Sequence, residues 1–437
     1  MQERPNIPRL FVPALLEFGL VALIGFGNTA IMASIGTFAL AAVTLCDSVA
    51  NLVMAVFGVL PTGITVRIGQ AMGQGDLSDA RDMSEQFLFF AVLAITPFAL
   101  ILGVFARPLL GLMFASATPE TLDAAATYLH FSAASMPFMM LFYAVVGIYR
   151  GLGNFRAPFL MSLVLNASFT GLNFLFISGL HWGTLGLGVA LLACRAVCAI
   201  WVYARTRSNR SPLRLTRFFC RLQMKFLAPV LQNGVPYLID TLLLYIGALV
   251  QTTFLSGLGA DAMSANMIAN TIATFLAVPV SAMSLVVVTC AAYHFGAGDY
   301  REAKRGFFRS LGLTILMFGA LAGGAALLLN PLLGLFPQTA ESAAIARRLL
   351  LLLCATYPIL SSASSLGANF LRGVGDARYS MWSSILCTWV ARVALSWLFG
   401  LHLGYGMFGI WMALVLEHVA RILLLYPRIL RGTWARS

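Results

Sequence analysis

One stretch of the chain is written twice. Pro13 to Gly36, PALLEFGLVALIGFGNTAIMASIG, returns as PYLIDTLLLYIGALVQTTFLSGLG, Pro236 to Gly259, at a sequence offset of 223. At that offset Glu17 falls on Asp240 and Asn28 on Gln251. Each copy is apolar and longer than the roughly 20 residues a helix needs to cross a bilayer. In lipid the backbone must satisfy its own hydrogen bonds, so a lone apolar run of this length is restricted to a helix. Each copy also holds one carboxylate, a turn after its proline. An acid at the bilayer centre costs on the order of 2.5–3.5 kcal/mol on insertion scales, and acids retained there mark function.

The rest of the chain has the same character. Of 437 residues, 60% are hydrophobic and 10% charged, with a mean hydropathy of +0.87. A soluble domain carries about a quarter charged residues, so the chain is expected to be an all-α integral membrane protein. The net charge of +12 does not point to nucleic acid. Seven basic residues, Arg205 to Lys225, lie in one acid-free connection between apolar runs, which is the mark of a cytoplasmic loop touching anionic lipid headgroups. No nucleic-acid-binding signature accompanies them. Of the seven cysteines, six lie in or beside apolar runs, where cysteine acts as a small apolar residue. Cys194 and Cys198 share a helix face, yet no histidine or carboxylate joins them as a metal site.

Twelve apolar runs can be placed, at about 10–33, 38–66, 86–105, 128–148, 157–179, 183–204, 229–254, 262–290, 307–329, 346–370, 380–400 and 404–427. An even number puts both termini on one side. With the termini inside, 22 of the 28 Lys and Arg residues fall on the inner side, three outside and three in spans. The positive-inside rule therefore predicts cytoplasmic termini in the inner (plasma) membrane.

Two further motifs repeat. GQGDLSDAR (Gly73–Arg81) returns as GAGDYREAK (Gly296–Lys304) at 223, and YRGLGNFRAP (Tyr149–Pro158) as LRGVGDARYS (Leu371–Ser380) at 222. Both copies of each follow an even-numbered span, so the chain reads as two parallel, pseudo-symmetric six-helix lobes, 1–204 and 229–437, joined by the basic linker 205–228. That is a transporter plan. The glycine pairs Gly151/Gly153 and Gly373/Gly375 lack the strand that a phosphate loop requires; they predict tight turns, with Arg150 and Arg372 holding helix ends or lipid phosphates. Of the four carboxylates within spans, Glu417 is expected to pair with Arg195, Arg392 or Arg421. Asp47 answers to Asn270 and suggests a helix-packing hydrogen bond as well as a candidate site. Glu17 and Asp240 have no basic residue within two turns on their own helix and are the first candidates for binding an ion or cargo. Four acids against three span arginines lean towards cationic cargo.

At these repeated motifs the chain resembles the multidrug and toxic compound extrusion (MATE) transporters, part of a larger group that also contains lipid-linked oligosaccharide flippases. The matching residues are Gly36 with Leu40-Ala41-Ala42, Gly73–Arg81, Arg150-Gly-Leu-Gly-Asn154 with Pro158, the echoes Gly296–Lys304 and Arg372-Gly-Val-Gly-Asp376, and Arg392. The resemblance covers essentially the whole chain. It implies a proton- or sodium-driven antiporter, not an enzyme, that expels amphiphilic and often cationic compounds by alternating access and needs no other cofactor; a monomer in contact with membrane lipids is expected. One branch of the family has aspartates where this chain has Asn28 and Asn173; another has acids in spans seven and ten, where this chain keeps only Asp240, about a turn displaced. The alternative is a flippase of the same fold for lipid-linked precursors, whose phosphates would want basic spans. A channel or sensor without transport is disfavoured by the full-length repeat.

Overall fold

The computed structural model describes residues 5–33, 37–113, 118–180, 182–208, 213–336 and 338–436, except for side chains within 25–45 (save Val43) and at 48, 178 and 436. Among these residues there are only helices and turns. Twelve helical segments are long and apolar enough to cross a membrane, and all twelve expected runs are found. The first six come from α1 (Ile7–Ala33), α2 (Thr37–Phe57) with α3 (Leu60–Gln74), α4 (Leu77–Val104), α6 (Pro119–Gly151), α7 (Arg156–Asn173) and α8 (Gly183–Arg207). A short α5 (Ala106–Met113) precedes α6. The second six come from α9 (Met224–Ser256), α10 (Ala260–Leu276) with α11 (Val278–Gly296), α12 (Tyr300–Leu327), α14 (Ala340–Gly373), α15 (Ala377–Leu386) and α16 (Gly406–Arg431), with a short α13 (Leu329–Gly334) before α14. The chain divides into two compact units, Leu16–Val235 and Met1–Leu15 with Pro236–Ser437.

The repeated motifs are local devices that start and stop helices. Asp76 caps α4, its carboxylate accepting from the Asp79 N–H at 3.0 Å, and Asp299 caps α12, accepting from the Glu302 N–H at 3.1 Å. Each satisfies a donor that the first helical turn leaves orphaned. The expected tight turns are present. Gly153 and Gly375 have φ of +71° and +90°, where an L side chain would be strained. Two residues earlier the reason is proximity. A Cβ on Gly151 would stand 2.9 Å from the Thr65 carbonyl of α3, and one on Gly373 2.7 Å from the Val288 carbonyl of α11. Thr65 and Val288 are themselves 223 apart. The first glycine of each RGxG motif thus lets a long helix lie directly on its neighbour's backbone.

Four spans depart from a continuous α-helix. Span two breaks at Gly58-Val59, and span eight breaks at Ala277; each break is followed by a proline, Pro61 or Pro279, in the first turn of the next helix. Proline fits there because an N1 or N2 amide has no intrahelical acceptor. The other departure is π-helical. Phe174–Gly179 and Trp397–His402 occupy the same place in the two repeats, again at the offset of 223. Cys387–Ala394 has no counterpart. The offset explains it, being 222 from Ser162 to Ser384 but 223 from Gly183 to Gly406. One extra residue lies between, and an inserted residue in a helix is accommodated as a π-bulge.

Residues 213–223 of the basic linker lie along α4. The Glu85 carboxylate accepts from the backbone of Thr216 at 2.7 Å and Arg217 at 3.2 Å, and the Gln86 side chain accepts from the Gln223 N–H at 2.7 Å.

Candidate functional site

Glu17 is buried on α1, a turn after Pro13. Its Oε1 accepts from Arg150 at 2.9 Å and from the Ser162 hydroxyl at 2.8 Å. Its Oε2 is buried and has no hydrogen-bond partner among the described residues. In the second repeat Asp240 on α9 is buried and paired with Arg372. The Arg372 guanidinium also lies 3.8 Å from the centre of the Tyr237 ring and donates to the Asn369 side chain at 3.3 Å. Ser384, also buried, stands where Ser162 stands in the first repeat. The arginines are those of the two RGxG motifs. Their expected roles at helix ends or lipid phosphates give way to an ion pair, because the close approach at Gly151 and Gly373 fixes the preceding residue beside the acid-bearing helix of its own repeat. The matched offsets, 223 for the acids and 222 for the arginines, were the sequence signal that could have joined them.

Asp47 on α2 is half-buried and within electrostatic reach of Arg195 on α8, whose guanidinium donates to the Ser135 hydroxyl at 2.8 Å. Its counterpart Asn270 is exposed and bonds back along α10 to the Asn266 carbonyl at 3.0 Å. The helix-packing bond in the second repeat is one turn away, where the Trp411 indole of α16 donates to the Asn266 side chain at 3.1 Å. Glu417 pairs, as expected, with Arg421 at 2.7 Å and Arg392 at 3.4 Å. His418 beside it, bonded to Ser364 at 2.8 Å, was not foreseen; its only sequence signal is that it falls on Arg195 at the repeat offset.

Asn173 is fully buried at the point where α7 becomes π-helical, and neither end of its amide has a partner among the described residues. Asn28 lies on α1 with its side chain outside the described residues. The equivalents in the second repeat, Gln251 and Ser396, are joined at 3.1 Å.

The four carboxylates within spans therefore face five arginines, since Arg150 and Arg372 join the three counted there. The four-to-three balance that leaned towards cationic cargo is reversed. The first repeat is balanced, with Glu17 and Asp47 against Arg150 and Arg195. The second has Asp240 and Glu417 against Arg372, Arg392 and Arg421. Among the described residues no three of His, Cys, Asp or Glu gather as a metal site.

The MatE family model matches residues 13–176 and again 236–398, once in each repeat. A probable multidrug resistance protein of Bacillus subtilis, YoeA, is 24% identical over 438 residues, covering 97% of this chain and 94% of its own. The probable multidrug resistance protein NorM of Pseudomonas aeruginosa is 27% identical over 431 residues, covering 94% and 86%. Among solved structures, the outward-facing conformation of a multidrug resistance MATE family transporter of the MOP superfamily superposes with a TM-score of 0.88 at 18% identity, over 99% of this chain and 96% of that one. At that identity the likeness speaks for the fold.

Proposed function

Because the chain belongs to the MatE family of multi-pass membrane transporters, and is not an enzyme, we propose that it is a secondary active exporter of amphiphilic small molecules, driven by cation antiport, in the cell's inner (plasma) membrane with both termini cytoplasmic. The observation that carries this reading is the same carboxylate–guanidinium pair at the same place in both repeats, Glu17 with Arg150 and Asp240 with Arg372. In a medium of low dielectric such a pair persists only while both partners are charged. A proton on the carboxylate, or an organic cation taking the place of the guanidinium, opens it. Proton and cargo then compete for one acid, and competition becomes exchange when each ligand favours a different orientation of the repeats, so that cargo is presented alternately to the two sides.

The residues divide the work as follows. Asp240 is the coupling acid, and Glu17 is its echo in the first repeat. The Oε2 of Glu17, without a hydrogen-bond partner among the described residues, is an acceptor for a proton or for a cationic group on the cargo. Asn28 and Asn173 cannot titrate but offer a donor and an acceptor each, to cargo or to one another. Asp47 is the next acid in line. The coupling ion is a proton, with sodium as the alternative, and the working unit is a monomer.

Dye efflux from proteoliposomes under an imposed pH gradient tests this. Asp240→Asn should abolish proton-driven efflux while leaving insertion and folding intact, and Glu17→Gln should be milder. Unimpaired efflux by Asp240→Asn would remove Asp240 from the coupling role, and a response to a sodium gradient alone would replace the proton.

A further inference from the structure

In the second repeat three arginines pair with two carboxylates, Arg372 with Asp240 and both Arg392 and Arg421 with Glu417, and the surplus arginine sits on a π-helical segment whose counterpart in the first repeat is α-helical. Arg392 lies on the extra π-helical turn Cys387–Ala394 and Arg421 on α16, both directed at the single carboxylate of Glu417. Glu417 is committed at both oxygens, Oε1 to Arg421 at 2.7 Å and Oε2 facing the Arg392 Nε at 3.4 Å. The latter contact is too long and misaligned for a good hydrogen bond. The Nε–H donors of Arg392 and Arg421 are both shut off from solvent and have no acceptor among the described residues. Asp240 is within electrostatic reach of Arg421 but is paired with Arg372. His418 supplies no negative charge. A guanidinium cannot shed its proton to escape burial, so the surplus charge calls for a counter-ion.

We propose that the second repeat binds a small anion between Arg392 and Arg421, a halide ion or the carboxylate of an organic acid. Two inward N–H donors without a hydrogen-bond acceptor among the described residues and one uncompensated positive charge are what such a ligand completes, and the π-turn is the device that brings the second guanidinium to Glu417. The first repeat also buries unsatisfied Nε–H donors, on Arg67 and Arg150, but shows no such excess at its span acids, Glu17 with Arg150 and Asp47 near Arg195. It has no counterpart of the extra turn, and at the repeat offset His418 and Glu417 correspond there to Arg195 and Cys194.

The test needs no gradient and no transported compound, so it stands or falls apart from the export reading. The thermal midpoint of the full-length protein in detergent is followed while sodium methanesulfonate, neither a halide nor a carboxylate, is replaced stepwise by sodium chloride or by sodium acetate at constant ionic strength. The wild-type protein should gain a saturable rise in Tm with one of the two, and which one distinguishes a halide from a carboxylate site. Arg392→Gln should lose the rise, because Glu417 and Arg421 then balance. Arg392→Lys should keep it. Glu417→Gln should saturate at a several-fold lower anion concentration, because two charges then go uncompensated. A rise in Arg392→Gln equal to that of the wild type, or no rise in the wild type with either salt, would overturn the proposal. Should Arg392→Gln not fold, an unchanged half-saturation in Glu417→Gln would overturn it equally.

Discussion

Arg372 is the residue on which the second repeat's acid depends. Removing one member of a buried ion pair leaves the other charged and unsolvated, which costs about 3–5 kcal/mol, whereas removing both is often neutral. Arg372→Ala should therefore lower the thermal midpoint of the purified protein sharply, and Asp240→Asn combined with Arg372→Gln should recover most of the loss. If the double variant were as unstable as Arg372→Ala, the pair would not be the reason. The acids were legible in the sequence because any carboxylate stands out in an apolar run. Their partners were not, for a physical reason: Arg150 and Arg372 lie at helix ends, where basic residues gather for topology alone, and the contact joins side chains 133 and 132 residues apart. Asn173 was legible as a position but not as a buried amide without partners, since burial depends on packing that no single span encodes.

At the scale of the helix, the two long spans are seated on their neighbours by glycine, α6 on α3 by Gly147 and Gly151 and α14 on α11 by Gly373. Gly373→Val would drive a side chain into the Val288 carbonyl, 2.7 Å from the added Cβ alone, and overpacking of this kind costs typically about 1–3 kcal/mol. The displacement would also carry Arg372, the adjacent residue, away from Asp240. The expected outcome is a fall in Tm together with a loss of proton-driven efflux; efflux at the wild-type rate would separate the helix contact from the ion pair. The apolar runs made all twelve spans readable. The short α5 and α13 were not readable, because six to eight residues between strong spans carry too little periodicity. The π-turn at Cys387–Ala394 left a trace only in the change of offset from 222 to 223. That shift locates an inserted residue without saying whether a helix or a loop absorbs it.

For the whole molecule, one native residue reports orientation. The 22-to-3 distribution of Lys and Arg predicts that the 205–228 linker faces the cytoplasm. Cys220 lies in that linker, its thiol against the Glu85 carbonyl at 3.8 Å, while the other six cysteines lie on spans and most are buried. With those six replaced, a membrane-impermeant maleimide should leave Cys220 unlabelled in intact cells and react with it once the cells are permeabilised. Arg107, at the start of α5 just past the end of α4 remote from Glu85, is exposed. Arg107→Cys should behave in the reverse way. The pH dependence supplies an internal check. Partial burial, and then the Glu85 carboxylate, push the Cys220 thiol above its ordinary value, and only the thiolate reacts. Labelling in permeabilised cells should therefore be slow at neutral pH and keep rising as pH passes the range where a free thiol has already ionised. Unfolding should erase that lag, because it frees the thiol from Glu85 and from the surrounding side chains. Labelling of Cys220 in intact cells, with Arg107→Cys protected, would invert the topology and place both termini outside.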